Sequence, residues 1–367
     1  MVPVKRLVAV VSMALVIANV LLMTSWRDNV NNYYRRSIKL REDVNIPTTS
    51  ATAPGPIRVL IHARMRTGSS STARYISSRP DFQYLYEPGL IFRHSQQYTF
   101  NAYDDSFSQL SPLQPELSEV IEGFFQCNYS HSPLLVYFLN RAPWVTTQMN
   151  ISNLGVKNKT ITPEKLTSYC KTKRHSIVKT IRITNILEAM SLLQRYNVKV
   201  IILVRDPRGM ISSRERFQVW RFRNDRSRKV NLPKFKHAVQ NHCQWLDANI
   251  QAVLYGPQWF KANYIVVRYE DLTDRPFELV PKLYDFIGLD AKDISAEMYN
   301  VTKIGNGMAW RHVLPWERTL IAQSSCPGNV FDVFGYVKAK SEHDLRDESF
   351  LLMRNVSEMS DRIRFLK

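Results

Sequence analysis

A segment rich in glycine and hydroxyl side chains is the first part of the chain suited to chemistry. Residues 64–72 read Arg-Met-Arg-Thr-Gly-Ser-Ser-Ser-Thr and closely follow an apolar run at 57–61. When a strand leads through a glycine loop into a helix, backbone N–H groups and the positive end of the helix dipole converge. The segment therefore predicts an anion site formed by Arg66, Thr67, Gly68, Ser69, Ser70 and Ser71. An ordinary capped turn uses the same residue types, so that interpretation stays open.

The segment lacks the pattern of a triphosphate-binding loop. No lysine follows Gly68, and the Walker A pattern G-x-x-x-x-G-K-[ST] is missing. Both observations count against an NTPase or a kinase. The eight histidines form no H-E-x-x-H cluster, so we predict no metal site.

A second basic segment follows the most continuous apolar run of the folded region. Residues 204–214 read Val-Arg-Asp-Pro-Arg-Gly-Met-Ile-Ser-Ser-Arg, and the proline suits the first turn of a helix. Arg205 stands at the strand end and Ser213 follows about two helical turns later, so both can reach one phosphate. Arg208 and Arg214 are further candidates for the same anion. A solvated basic helix start is the alternative interpretation.

A sheet must bring these two segments together, and the order of elements predicts one. Short β-rich runs predict strands at 57–61, 177–181, 198–204 and 264–268, and helical spacing predicts helices at 72–78, 185–196 and 279–287. Alternating strands and helices predict a parallel sheet, whose ligands lie beyond the carboxyl ends of the strands. The predicted fold class is therefore α/β, a single domain with a central parallel sheet and flanking helices.

Glu87 is the best candidate for a general base. It stands in Tyr-Leu-Tyr-Glu-Pro-Gly, residues 84–89. Aromatic neighbours and the Pro-Gly turn are expected to desolvate its carboxylate in part and so to raise its pKa. A structural glutamate at a turn is the alternative interpretation.

Other charged residues lie at predicted strand ends. Glu270 and Asp271 are rival bases, but their position predicts a structural ion pair with Arg268. Lys179 and Arg182 also lie beside a predicted strand end, where they are expected to touch a ligand.

The charge balance indicates an acidic partner. The chain has 367 residues, with 50 lysines and arginines against 32 aspartates and glutamates, a net charge of +18. This surplus fits nucleic acid, phosphate-bearing ligands, anionic lipid or acidic polysaccharide and does not choose among them. Residues 205–236 concentrate basic side chains around Phe217, Trp220 and Phe222. Such a strip predicts polyanion binding or a solvated helix face.

The N-terminal region predicts a membrane anchor. Residues 7–23 carry no charge and are long enough to span a thin bilayer. The apolar run continues past a small-x-small site, which favours an uncleaved signal anchor over a cleaved signal peptide. We therefore predict a cytoplasmic tail at 1–6, a transmembrane helix at 7–23, a Pro/Thr/Ser-rich stem at 24–56, a folded domain at 57–340 and a C-terminal tail at 341–367.

Cysteines and glycosylation sequons agree with a lumenal location. Four widely spaced cysteines favour two disulfides, with three possible connectivities. Pairing near neighbours gives Cys127–Cys170 and Cys243–Cys326. The candidate N-glycosylation sites are Asn128, Asn150, Asn158, Asn300 and Asn355.

Together these segments resemble a known family, the Golgi carbohydrate sulfotransferases that act on the 6-hydroxyl of galactose, N-acetylglucosamine or N-acetylgalactosamine. The matching stretches are Arg66 to Ser70, Tyr86-Glu87-Pro88, Leu203 to Arg208 with Ser213-Arg214, Arg268 to Leu272, and Trp310-Arg311 with Cys326 and Gly335-Tyr336. Thr67 replaces the usual serine, and Ser71 stands where a bulkier residue is usual.

The resemblance implies a donor, a compartment and a set of roles. The donor is 3′-phosphoadenosine 5′-phosphosulfate; the first segment binds its 5′-phosphosulfate and the second its 3′-phosphate. A P-loop-like architecture, a type II Golgi membrane topology with a lumenal domain, and Glu87 as base belong to the same pattern. Arg66 is expected to stabilise the leaving group without a metal.

The sequence therefore predicts an enzyme that transfers a sulfuryl group to a sugar hydroxyl on a glycoprotein or proteoglycan glycan. A membrane-tethered, non-catalytic binder of acidic glycans is one alternative. A glycosyltransferase is another, although no D-x-D motif is clear. A lumenal location disfavours nucleic acid as a partner. The acceptor sugar and the oligomeric state stay open.

Overall fold

The computed structural model describes residues 55–94, 100–101, 106–107, 113–155, 160–221, 231–301 and 305–367. The predicted cytoplasmic tail, membrane helix and nearly all of the stem, residues 1–54, lie outside this part of the chain. Within the described residues, no helix combines the length and apolar character needed to cross a membrane.

Five parallel strands form the central sheet, in the order β2-β5-β1-β6-β7. The strands are β1 Arg58–His62, β2 Phe82–Tyr86, β3 Phe100–Asn101, β4 Ser106–Phe107, β5 His175–Thr180, β6 Lys199–Val204 and β7 Tyr264–Arg268. Strands β3 and β4 form a separate antiparallel pair. In the sheet, Val59 of the central β1 lies opposite Ile177 on one side and Lys199 on the other. The predicted parallel sheet is confirmed, and β2 is a strand that the sequence did not predict.

Apolar side chains bury both faces of the sheet. Val59 and Ile61 point into a cluster that includes Ile76 of the helix after β1. Leu60, between them, belongs to a second cluster that includes Trp245. Alternate residues of one strand therefore enter opposite layers, which explains why the strands read as continuous apolar runs.

Helices flank the sheet. They are α1 Ser69–Ser77, α2 Pro115–Phe125, α3 Pro133–Arg141, α4 Pro143–Gln148, α5 Pro163–Lys171, α6 Met190–Arg195, α7 Pro207–Arg221, α8 Leu232–Tyr255, α9 Gln258–Asn263, α10 Tyr269–Asp274, α11 Pro276–Ile287, α12 Ala296–Val301, α13 Trp310–Val313, α14 Trp316–Ser324, α15 Gly328–Val333 and α16 Glu342–Arg346. The predicted helix at 185–196 is a 3₁₀ turn, Ile186–Ala189, followed by α6. The other two predicted helices start three residues earlier than expected.

Both predicted disulfides are present. Cys127, just past α2, is bonded to Cys170 in α5, and Cys243 in α8 is bonded to Cys326 after α14. The cysteines of the first bond are 43 residues apart in sequence and those of the second are 83 residues apart. Each bond therefore closes a long loop of the unfolded chain.

The C-terminal segment, residues 341–367, packs into the domain. The backbone N–H of Val266 in β7 donates to the carbonyl of Arg364, and the N–H of Leu366 donates to the carbonyl of Val266, both at 2.8 Å. The segment therefore covers the outer edge of β7, and the compact unit extends from Pro56 to Lys367 rather than to 340. This packing is not predictable from the sequence, because the segment is mainly polar.

The glycosylation candidates differ in accessibility. Asn150 and Asn355 are exposed, and Asn128 is half-buried with its side chain bonded to Ser130. Asn158 lies outside the described residues, and Asn300 lies in α12.

Candidate active site

The first predicted anion segment forms a tight loop at the carboxyl end of β1. The carbonyl of Arg64 accepts hydrogen bonds from the N–H of Thr67 at 3.3 Å and from its hydroxyl at 2.7 Å. Gly68 caps α1 with φ of +87°, and Arg66 also has a positive φ of +67°. The loop therefore delivers the N-terminus of α1 to the sheet edge, as an anion site requires.

The position of Gly68 leaves no room for a side chain, because Tyr269, which directly follows β7, packs against it. A Cβ atom added to it would lie 2.1 Å from Cδ2 of Tyr269, and the left-handed backbone already disfavours a side chain. The Tyr269 ring therefore packs directly against the loop backbone.

We expect Gly68→Ala to destabilise the protein by at least about 1 kcal/mol through backbone strain alone, and to displace the loop as well. The matched control is Gly288→Ala, because Gly288 has φ of +85° but open space around its Cα. Denaturant unfolding compares the two variants. Equal losses of stability would show that Tyr269 does not constrain the loop.

The two anion segments meet in the structure. Nε of Arg66 donates to the Ser213 hydroxyl at 3.1 Å, and Nη1 of Arg205 donates to the carbonyl of Arg66 at 2.8 Å. The Arg205 guanidinium lies 4.4 Å from the Tyr269 ring centroid. This convergence follows from the neighbouring positions of β1 and β6 in the sheet.

The electrostatics of this junction favour an anion. Burial and the neighbouring charge of Arg205 lower the pKa of Arg66. Nε of Arg205 is buried and has no hydrogen-bond partner within the described part of the chain. A bound anion would relieve the repulsion between the guanidinium groups and supply that missing acceptor.

The loop hydroxyls have different environments. Thr67 is fully buried and its hydroxyl closes the turn, so it supports the loop rather than facing a ligand. Ser69 is buried, while Ser70 and Ser71 are half-buried at the start of α1. The Ser70 hydroxyl is hydrogen-bonded to Tyr86.

The Arg208 side chain is bonded within the protein and does not face the predicted anion site. It is fully buried, and its guanidinium bonds Asp206, Gln323 and the carbonyls of Val337 and Leu352. These bonds use every N–H group of the side chain. Arg208 therefore joins the α7 start to the C-terminal region and has no donor left for an anion in this arrangement.

Arg214 is also fully buried. Its Nη2 contacts the carbonyl of Met65, behind the loop, at 3.4 Å. It adds positive charge beneath the loop, and the structure does not place it at the surface of the site.

The prediction that the pKa of Glu87 is raised is wrong. Glu87 is buried between two cations, with Nη1 of Arg182 at 2.6 Å and Nζ of Lys179 also bonded to it. Burial alone would raise the pKa, but the two positive charges outweigh it and lower the pKa to about 2. The carboxylate is therefore ionised at neutral pH and is a weak proton acceptor.

Of the rival carboxylates, Asp271 makes the predicted ion pair with Arg268, at 2.6 Å. Glu270 does not join it. Its carboxylate accepts from the N–H of Asp206 at 3.0 Å and faces the Tyr336 hydroxyl at 3.3 Å, and burial raises its pKa to about 7. Glu270 thus supports the turn that carries Arg205.

The predicted basic strip is described in part. Residues 222–230, including Phe222, lie outside the described residues. Phe217 packs 5.1 Å from the Arg66 guanidinium, so its ring borders the site. The structure describes no cluster of metal-ligating side chains in the residues that it places.

Two aromatic residues of the site were not among the residues predicted from the sequence. Tyr269 supports both Gly68 and Arg205, and Tyr86 contacts Ser70. Their positions directly after β7 and at the end of β2 are the available signal, because ligands lie beyond strand ends.

Comparison with known proteins gives a consistent result. A family model described as "Sulfotransferase domain" matches residues 57–306. Carbohydrate sulfotransferase 1 of Mus musculus is 26% identical over 366 residues, covering 84% of this chain and 86% of the relative. Carbohydrate sulfotransferase 3 of Homo sapiens is 25% identical, covering 85% and 72%, and carbohydrate sulfotransferase 2 of Homo sapiens is 24% identical, covering 81% and 68%.

Proposed function

Because the chain belongs to the sulfotransferase-domain family and its relatives are carbohydrate sulfotransferases, we propose that it transfers a sulfuryl group from 3′-phosphoadenosine 5′-phosphosulfate to a sugar hydroxyl. The observation that carries this proposal is the junction of the two anion segments. Arg66 is hydrogen-bonded to both Ser213 and Arg205, beyond the adjoining ends of β1 and β6.

The residues present fit a donor with two anionic ends. Arg66 and the N-terminus of α1, with Ser69, Ser70 and Ser71, would hold the phosphosulfate. Arg205 and Ser213 would hold the 3′-phosphate, and the unpartnered Nε of Arg205 is a donor suited to it. The bound donor supplies the activated sulfuryl group.

The chain's own groups supply positioning and charge. Arg66 and the loop N–H groups stabilise negative charge that develops beside the α1 N-terminus. Lys179 lies 4.5 Å from the Tyr86 ring centroid and next to Glu87, so it adds a second cation near the loop. Glu87 holds Lys179 and Arg182 in place, and its candidacy as the base rests on its position alone.

The acceptor that we propose is the 6-hydroxyl of galactose, N-acetylglucosamine or N-acetylgalactosamine in a glycoprotein or proteoglycan glycan. The carbohydrate sulfotransferase relatives support a sugar acceptor. The charged groups of the site are arginines and the Glu87 carboxylate, which is already paired with Lys179 and Arg182. A sugar hydroxyl is neutral, so it can enter the site without a further counter-charge.

Transfer of labelled sulfate to a panel of desulfated glycans tests this function. The panel contains N-acetyllactosamine oligosaccharides, N-acetylglucosamine-terminated glycans and desulfated chondroitin, and product analysis identifies the modified carbon. Transfer to at least one glycan is expected. No transfer to any member, with an intact fold and bound donor product, would reject the proposal.

Arg205→Ala should mainly weaken donor binding. Loss of one hydrogen bond from a charged group costs about 1.5–3 kcal/mol, which is about 10–150-fold in affinity. Calorimetric titration with 3′-phosphoadenosine 5′-phosphate measures it directly. The control is Arg195→Ala. Arg195 is an exposed residue at the end of α6, and its ion pair is with Glu122. Unchanged affinity in Arg205→Ala would exclude this residue from the donor site.

For localisation we propose the Golgi membrane, with a single-pass type II topology and a lumenal catalytic domain. The uncharged run at 7–23 and the two disulfides support it, because disulfides persist in oxidising compartments. Protease protection of the domain in intact microsomes, with co-localisation to Golgi markers, is the expected result. Digestion of the domain without detergent would contradict the topology.

A further inference from the structure

One large aromatic side chain near the candidate site is unusually open to solvent. Trp144 lies in the short helix α4 and is 47% exposed. A single exposed apolar residue has no meaning by itself. The position of Trp144 relative to the anion loop is what makes this one informative.

Tyr86 connects Trp144 to the loop. The two ring centroids are 5.9 Å apart with an interplanar angle of 84°, an edge-to-face contact. The same Tyr86 is hydrogen-bonded to Ser70 of the loop and carries Nζ of Lys179 4.5 Å from its ring centroid. Only one aromatic ring therefore separates Trp144 from the residues that would hold the donor.

Tyr86 is held on several sides, so it forms a firm support. Tyr84 packs edge-to-face against it at 6.1 Å, and Lys179 and Ser70 fix the remainder of the side chain. Because Trp144 contacts this fixed ring, its exposed surface has a defined place at the margin of the site.

Resting on the proposed function, we propose that Trp144 is an acceptor-binding residue whose exposed indole stacks against the C–H face of a sugar ring. A pyranose carries hydroxyls around its edge and apolar C–H groups on its faces. An aromatic ring can bury such a face without offering a hydrogen bond, while the hydroxyl to be sulfated points elsewhere. The occupant is therefore a neutral sugar unit of the acceptor glycan.

Charge supports this choice of occupant. The donor segments are cationic and suit phosphate, whereas Trp144 and its support Tyr86 offer an uncharged surface. Donor and acceptor would thus bind to chemically distinct halves of one site. Substitution of Trp144 should therefore weaken acceptor binding and leave donor binding unchanged.

Steady-state kinetics of the full chain test the proposal, with desulfated chondroitin and N-acetyllactosamine oligosaccharides as acceptors. We expect Trp144→Ala to raise the acceptor KM at least tenfold, with kcat changed by less than threefold and affinity for 3′-phosphoadenosine 5′-phosphate unchanged. Trp144→Phe, which keeps a ring, should recover most of the acceptor affinity. Titration of acceptor into the donor-product complex gives an equilibrium check.

Tyr255→Ala is the matched control. Tyr255 is 69% exposed, and it lines a cavity with Tyr264 at the amino end of β7, opposite the loop. It should leave the acceptor KM unchanged. The thermal midpoint of each variant monitors folding. If Trp144→Ala fails to fold, Trp144→Leu, which keeps an apolar side chain but loses the ring, replaces it and should also raise the acceptor KM.

The outcomes separate this inference from the proposed function. An active wild-type enzyme whose Trp144→Ala variant folds and keeps the wild-type acceptor KM would overturn the inference alone. A changed oligomeric state with unchanged KM would assign the indole to contact with a second copy and also overturn it. A wild-type protein that binds donor product but sulfates no glycan would overturn both.

Discussion

Glu87→Ala is expected to destabilise the folded domain by about 3–5 kcal/mol, because removing one partner of a buried ion pair leaves its charge uncompensated. Here two cations, Lys179 and Arg182, lose their shared carboxylate, and the side chains of both are almost completely buried. Denaturant unfolding of the variant and the wild type measures the difference. The activity of the variant must be compared at a temperature where it is still folded.

The matched control for Glu87 is Glu278→Ala. Glu278 also binds two cations, Arg275 at 3.0 Å and Lys282 at 2.8 Å, but its side chain is 44% exposed. Water screens ion pairs at the surface, so this variant should lose little stability. Similar losses in the two variants would show that burial does not determine the strength of the Glu87 cluster.

The pH dependence of stability gives a second test of the cluster. The folded-state pKa of Glu87 is about 2, below its ordinary value of 4.5, so folding favours the ionised form. Its contribution is therefore fully present above about pH 4.5 and is lost as the pH falls towards 2. Glu87→Gln should lose this part of the acid dependence. An unchanged dependence in Glu87→Gln would contradict the low pKa.

Arg66→Ala is expected to lower kcat by about 10²–10³-fold, the usual effect of removing one preorganised donor from a developing charge. The residue is exposed at the loop tip while its guanidinium packs against Ser213 and Phe217, and Ala and Arg both carry a Cβ at the same positive φ. Little stability should therefore be lost. Single-turnover measurements with saturating donor isolate the chemical step.

Two variants control the Arg66 experiment. Arg74→Ala removes an exposed arginine from the same helix, α1, and should leave kcat unchanged. Arg66→Lys keeps the charge but loses the planar guanidinium that reaches Ser213, so partial activity is expected. A wild-type kcat in Arg66→Ala would remove this residue from the mechanism.

The sequence was sufficient to predict that the two anion segments lie at the same edge of one sheet. Parallel strands end at one edge of the sheet, so segments that follow neighbouring strands converge there without further information. The strand order did not need to be known in full. Local residue types and the alternation of strands with helices were enough.

The roles of Arg208 and Glu87 could not be predicted because their partners are distant in sequence. Arg208 bonds Gln323 and the carbonyl of Leu352, which are 115 and 144 residues away. Glu87 bonds Lys179 and Arg182, 92 and 95 residues away. A basic residue beside a phosphate motif and a carboxylate beside a turn each look functional until such partners are known.

The pairing of residues 364–366 with β7 has a consequence for how the protein is made. A chain emerges from the ribosome N-terminal end first, at about 5–20 residues per second, so β7 is synthesised well before the segment that covers its edge. During that interval the outer edge of β7 has unpaired N–H and C=O groups, which can template pairing with other chains. Nascent chains that stop before Arg364 should therefore bind chaperones more strongly than chains that include residues 364–366.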